Sequence, residues 1–194
     1  YGASIVNYEV GNTINTSLGA NSPTKFKACG HQFSNIIGNI DLSRDFGNVF
    51  VGFGAEARNE NFIAKEGEEA SYFESGASSF PGLQPQNAVN ENRQNVGVYS
   101  TVGWDITKDF LLEGAVRYEN FSDFGNNFSW KTDGRYKFLD DKFVVRGSVS
   151  TGFRAPSLHQ IFYSNVQTKI TAGTVANQGT FNNASSIIRN DLGV

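Results

Sequence analysis

The sequence predicts an all-β protein, an antiparallel up-and-down sheet that forms part of the wall of a transmembrane β-barrel. The 194 residues include 21 Gly and 17 Phe, a composition that favours strands joined by turns over long helices. Apolar and polar side chains alternate along about seven segments of roughly 9 to 14 residues, longer than the usual strands of soluble sheets. Tight turns alternate with long connections between these segments, as in barrels that cross a bilayer.

The clearest predicted strand runs from Phe128 to Phe138. Every second residue there is apolar or small and the residues between them are polar, so the two faces of the strand differ completely. The pattern repeats after a turn at Asp140 and Asp141, which predicts a hairpin. By the same criterion we predict strands near residues 3–10, 33–46, 49–62, 94–106, 110–121, 128–139 and 142–154.

The connections between these strands fall into two sets. The tight turns are 46–48, 107–109 and 140–141, and the second set comprises residues 11–31, 63–93, 122–127 and 155–194. Only residues 122–127 form a short member of the second set. Because membrane barrels have short periplasmic turns and longer extracellular loops, we predict that the second set is extracellular.

Aromatic residues lie near both ends of the apolar face. Those near the predicted outer ends are Tyr118, Phe121, Phe128 and Trp130, and those near the inner ends are Trp104, Phe110, Tyr136, Phe138 and Phe143. Smaller residues lie between them, which is typical of two interfacial girdles around a hydrocarbon band. Arg44 is the exception on this face, and it lies close enough to the periplasmic end to extend its charge into water.

Two other classes of protein fit the alternation. One is a soluble β-sandwich binding module, whose apolar face would meet a second sheet, and the other is a passive porin or an adhesin-type barrel. Strand length, the asymmetric connections and the aromatic girdles favour a membrane barrel. Such barrels close with an even number of strands, at least about eight, so we expect these strands to be a segment of a longer polypeptide. The start at Tyr1, without Met or a signal sequence, fits that expectation.

The sequence disfavours catalysis and nucleic-acid binding. A net charge of -3 and scattered cations give no electrostatic footprint for nucleic acid. A single cysteine and two histidines leave little for a disulfide framework or a metal cluster. Gly52, Gly54 and Ala57 match a dinucleotide-binding pattern, but they lie within a strand that no helix follows. With no catalytic motif present, we predict no enzyme, no cofactor and no metal site.

Two groups of residues are candidates for binding. The loop 63–93 mixes acidic and aromatic residues suited to contacting a ligand, and its candidates are Glu66, Tyr72, Phe73 and Phe80. The polar face of the strands carries charges of both signs, which in a barrel line the lumen and satisfy one another or an inserted domain. The cations of interest there are Arg117, Arg135, Arg146 and Arg154.

One run carries a specific resemblance. Residues 146–160, RGSVSTGFRAPSLHQ, are similar to the barrel signature of TonB-dependent outer-membrane receptors, in which a strand ending in GFRAP leads into an extracellular loop. Residues 111–125, 52–73 and 17–26 also resemble this family. The resemblance therefore extends over nearly the whole chain.

The resemblance implies a wall segment of a plugged barrel of about 22 strands in the bacterial outer membrane. It implies active uptake of a scarce nutrient, driven by an inner-membrane TonB complex. A ferric siderophore is the commonest substrate in the family, and uptake of a carbohydrate, cobalamin or a peptide is the alternative. The implied partners are outer-membrane lipid, the nutrient, TonB and the receptor's own plug domain, and neither the plug nor the TonB-contact motif is among these residues. Arg154, Ala155 and Pro156 would mark the top of a strand, with Arg154 facing the lumen and the plug.

Overall fold

The computed structural model describes residues 2–11, 26–73, 82–139, 142–171 and 174–182, with side chains described for 26–73, 82–139 and 142–166. Seven strands form one sheet in sequence order, which is the predicted up-and-down topology. They are β1 (Gly2–Gly11), β2 (Lys27–Asp45), β3 (Val49–Lys65), β4 (Val89–Asp105), β5 (Phe110–Phe121), β6 (Gly125–Phe138) and β7 (Phe143–Ser150). After β7 come a short helix, α1 (Leu158–Phe162), and a separate hairpin of β8 (Ser164–Thr171) and β9 (Thr174–Asn182).

Several strands extend beyond their predicted ends. β2 starts at Lys27, β3 continues to Lys65 and β4 starts at Val89, so the connections 11–31 and 63–93 are shorter than predicted. The hydrogen-bonded pairing of the strands continues beyond the residues in which apolar and polar side chains alternate. Paired polar side chains extend it there. The amide of Asn61 donates to Asn90 Oδ1 at 2.9 Å and to the backbone oxygen of Glu91 at 3.1 Å.

Other connections also differ from the prediction. The connection 122–127 narrows to a turn at Ser122–Phe124, and β7 ends at Ser150 rather than at residue 154. Residues 155–194, predicted as one long loop, contain α1, β8 and β9. Ser157 caps α1 because its Oγ accepts from Gln160 N. The N–H of Ser157 donates in turn to Gln160 Oε1, which completes a capping box, a sequence signal for a helix start. The predicted turn at Asp140 and Asp141 and the remainder of loop 11–31, residues 12–25, lie outside the described residues.

The registers of β4 to β7 confirm the two faces. Tyr118 is paired with Phe128, and Val116 with Trp130, whereas Arg117 is paired with Ser129 on the other face. On the apolar face Ile40 is 70% exposed, Phe128 60% and Val149 63%. These exposures differ from those expected in a sandwich, where a second sheet buries such residues.

Rings line one end of the apolar face, as predicted for the inner girdle. Phe110 lies 6.0 Å from Tyr136 between ring centroids, and Tyr136 lies 4.4 Å from Phe138. Phe143 continues the line at 6.0 Å from Phe138. The prediction that Phe121 belongs to the outer girdle is wrong, since it shares the register face of Arg117 and is buried.

The chain divides into two compact units. The first contains residues 36–59 and 93–155 with the very start of the chain, and it includes the alternating parts of β2 to β7. The second contains residues 3–35, 60–92 and 156–194. The second unit has a small hydrophobic core, formed by Cys29, Phe62, Ala64, Leu83 and Leu158.

Candidate functional site

Arg117 lies at the centre of a charge network on the polar face of the first unit. Its Nη2 contacts Glu56 Oε1 at 3.2 Å and Glu119 Oε1 at 2.9 Å. Arg58 Nη2 contacts the same oxygen of Glu56 at 3.0 Å. Two cations and two carboxylates of β3 and β5 thus satisfy one another across β4, as predicted for a face of mixed charge.

Tyr99 ties three strands of the first unit together. Its hydroxyl donates to Asp41 Oδ1 on β2, while its ring crosses β3 above Gly54. A Cβ at Gly54 would overlap the ring of Tyr99, so this crossing requires glycine. The guanidinium of Arg117 lies 5.3 Å from the centroid of the same ring, which joins this tie to the charge network.

Arg135 and Arg146 lie further along the polar face, directly opposite one another on β6 and β7. They line a cavity of about 440 Å³ with Glu113, Lys131 and Asp133. Lys131 Nζ contacts Asp133 Oδ1 at 2.8 Å. The structure therefore brings two of the four predicted arginines together and places Arg117 in a separate network.

Arg154 is exposed and lies beyond the end of β7. The prediction that it ends a paired strand is therefore wrong. After a last backbone bond from Thr151 to Trp130 at 2.9 Å, the chain leaves the ladder. Phe153 then packs against Phe121 and Phe124 at centroid distances of 6.0 and 5.7 Å.

Arg93 and Asp123 form a buried ion pair that the sequence did not reveal. Arg93 is 2% exposed, and its Nε and Nη2 donate to Asp123 Oδ2 at 2.8 and 2.6 Å. Its guanidinium also lies 5.3 Å from the ring centroid of Phe124. This pair attaches the turn between β5 and β6 to β4, at the residue where that strand enters the first unit. No local pattern identifies the pair, because its two residues are 30 positions apart in the chain.

The predicted ligand loop of the second unit has a rigid base. Backbone bonds join Gly67 to Leu83 at 2.8 Å and Leu83 to Ala28 at 2.9 Å. Buried Ser71 donates to Glu68 O at 2.6 Å, and a Cβ at Gly82 would collide with the side chain of Ser71. On this base Glu66 and Phe73 are exposed and Tyr72 is half-buried, whereas Phe80 lies outside the described residues.

The two histidines of the chain are neighbours in the second unit. His31 and His159 have ring centroids 6.0 Å apart, and both contact Phe62 and Tyr163. His31 Nε2 is buried, and no partner for it is present among the described residues. Burial, and secondarily the nearby His159, lower the pKa of His31. His31 precedes the alternating part of β2, which starts at Ile36.

We expect acidification to loosen this cluster. Because the folded pKa of His31 lies below 6.5, the stability that neutral His31 contributes is complete above about pH 6.5 and is lost as pH falls through the lowered pKa. Hydrogen-exchange protection of the amides of α1 should therefore fall between about pH 7.5 and about pH 5. His31→Phe should remove most of this change, and equal protection factors at both pH values in the unmodified protein would contradict the prediction.

Comparison with known proteins agrees with this architecture. The family model described as TonB dependent receptor-like, beta-barrel, matches residues 2–188. The chain belongs to this family. It is a family of outer-membrane receptors rather than of enzymes. Membership in it excludes the alternatives of a soluble sandwich and an adhesin-type barrel.

A solved receptor has a similar fold. The chain is similar to a crystal structure of a mutant ferric enterobactin receptor from Pseudomonas aeruginosa, with a TM-score of 0.53 and 16% sequence identity. The similarity covers 85% of this chain and 25% of that receptor chain. The chain thus spans about a quarter of the length of the receptor that it matches.

Two further observations concern the described residues alone. Within them no helix has the length and apolar character needed to cross a membrane. The same residues contain no group of three or more His, Cys, Asp or Glu side chains placed to hold a metal ion.

Proposed function

We propose that the chain forms part of the wall of an outer-membrane receptor that takes up a ferric siderophore actively, with energy from the inner-membrane TonB complex. The observation that carries this proposal is the family match over residues 2–188. The choice of a ferric siderophore is supported by the fold shared with the ferric enterobactin receptor. The proposed whole has about 22 strands around a plug domain.

The two faces support an orientation for this wall. The exposed apolar face, with its line of rings from Phe110 to Phe143, suits contact with outer-membrane lipid. The polar face then lines the lumen, where Arg117, Arg135 and Arg146 face the plug, and Arg154 faces it from beyond β7. In this orientation the long connections lie outside the cell and the tight turns lie in the periplasm.

A passive porin would share this wall but not the energy coupling. We expect iron accumulation from the ferric siderophore to be lost in a strain without TonB, while binding at the cell surface persists. Accumulation that is unchanged without TonB would favour the porin. A matched strain that carries TonB on a plasmid is the control.

The proposed ligand site is the loop between β3 and β4, through Glu66, Tyr72, Phe73 and Phe80. Phe73 is 39% exposed and lies beside the rigid base at Ser71. Its side chain therefore loses little conformational entropy when a ligand binds. A flat exposed ring, with Tyr72 before it in sequence and Glu66 in the same loop, offers stacking and hydrogen bonding to a ferric siderophore.

We expect Phe73→Ala in the intact receptor to weaken ferric-siderophore binding roughly tenfold, the effect of losing one aromatic anchor. The measurement is equilibrium binding of iron-55 enterobactin to detergent-solubilised receptor. Phe143→Ala is the matched control, because Phe143 is also an exposed phenylalanine but lies at the tight-turn end of β7. Equal affinity of Phe73→Ala and the unmodified receptor would remove this loop from the site.

A further inference from the structure

Two like charges face one another across β6 and β7. Arg135 and Arg146 are direct partners in the register, and like charges in that position repel. Among the residues that the structure describes, neither guanidinium has an ion pair with a carboxylate, whereas Lys131 on the same face contacts Asp133 at 2.8 Å. The structure therefore holds a local excess of positive charge that needs an anion.

The surroundings of this pair are suited to bind one. Arg135 Nε is buried, with no acceptor present among the described residues. Leaving a buried charged donor unbonded is costly. The cavity of about 440 Å³ beside the two arginines is also lined by Ser148, and its volume leaves room for a small group.

We propose that Arg135 and Arg146 form a carboxylate-binding site. Guanidinium groups present their N–H donors in a planar fork that matches the two oxygens of a carboxylate. Three cations and two carboxylates line the cavity, namely Lys131, Arg135 and Arg146 with Glu113 and Asp133. The excess is a single positive charge, which favours a monoanion such as a carboxylate over a doubly charged phosphate.

The carboxylate has two possible sources. It is either an acidic side chain of the plug or a carboxylate of a free ligand in the lumen, and this choice alone rests on the proposed function. The existence of the site does not rest on the proposed function. It follows from the β6–β7 register, which opposes the two arginines, and from the buried Arg135 Nε, which has no acceptor among the described residues.

The test is the sign of the stability change in Arg146→Gln, measured by urea unfolding of the intact receptor in lipid vesicles. If the site holds a carboxylate from the plug, losing its second arginine raises the unfolding equilibrium constant roughly tenfold, as expected for a charge-assisted bond. If the two arginines merely repel one another, the substitution relieves repulsion and the equilibrium constant falls or stays the same. Lys108→Gln is the control for loss of a cation, because Lys108 is exposed in the turn before β5 and does not line the cavity.

Acetate, a monoanion, serves as the probe for a free ligand. If the site takes a free carboxylate, millimolar acetate raises the melting temperature of the unmodified receptor and leaves that of Arg146→Gln unchanged. If the plug fills the site, acetate changes neither, while Arg146→Gln is destabilised. The proposal is overturned if Arg146→Gln is as stable as the unmodified receptor or more so and acetate affects both proteins equally. Siderophore binding is assayed separately, so its absence would count against the proposed function and not against this site.

Discussion

Replacing Asp123 with alanine should lower the free energy of unfolding by about 3 to 5 kcal/mol, the cost of removing one partner from a buried ion pair. The substitution takes away the carboxylate that accepts two bonds from Arg93, at 2.8 and 2.6 Å. Arg93 is 2% exposed, so water cannot replace those bonds without opening the structure. The turn between β5 and β6 should lose its attachment at the same time.

An exposed pair on the same sheet provides the comparison. The side chains of Lys131 and Asp133 are 54% and 26% exposed, so water screens the pair and Asp133→Ala should lower stability far less than Asp123→Ala does. Both variants are measured by urea unfolding of the intact receptor in lipid vesicles. The double variant Arg93→Met with Asp123→Ala should recover part of the loss, because it no longer buries an uncompensated charge. Similar destabilisation by Asp123→Ala and Asp133→Ala would show that burial of the first pair has no energetic consequence.

The sheet could be predicted from the sequence because its pattern is local. In the run from Phe128 to Phe138 every second residue belongs to one face, and this period alone sets the face of each side chain. The predicted bounds of β5 match the structure, since the alternation there stops where the turns at 107–109 and 122–124 begin. The predicted strand ends were wrong where polar residues, such as Asn61 with Asn90, continue the hydrogen-bonded pairing without any alternation of apolar residues.

The missed features depend on contacts between residues far apart in the chain. His31 and His159 are separated by most of the sequence, and nothing near either one predicts that their rings meet. Arg93 lies on β4 and Asp123 in the turn after β5, and they pair only because the register of β4 and β5 sets Gln94 beside Ser122, with Gln94 N donating to Ser122 Oγ at 3.0 Å. The opposed arginines could have been found, since aligning the two strands of the predicted hairpin about its turn places Arg135 opposite Arg146.

Gly147→Arg should destabilise the receptor by about 2 to 4 kcal/mol, the cost of an arginine on the lipid face near the middle of a bilayer. Gly147 lies in the middle of β7, opposite Gly134, on the face that carries Val145 and Val149. A Cβ at Gly147 would meet no atom within 4 Å, so a side chain there encounters only the surrounding medium. The effect of arginine therefore reports the polarity of that medium and not a steric clash.

Gly147→Leu separates charge from size at this position. In a bilayer the leucine side chain should be tolerated, whereas in water both substitutions would be accommodated and arginine would be the better tolerated of the two. Urea unfolding in lipid vesicles and heat-modifiable gel mobility measure both variants. Equal stability of the arginine and leucine variants would mean that this face is not in contact with lipid. A loss confined to the arginine variant would establish that the apolar residues from Phe128 to Val149 face hydrocarbon, because they share the face of Gly147 in the β6–β7 register.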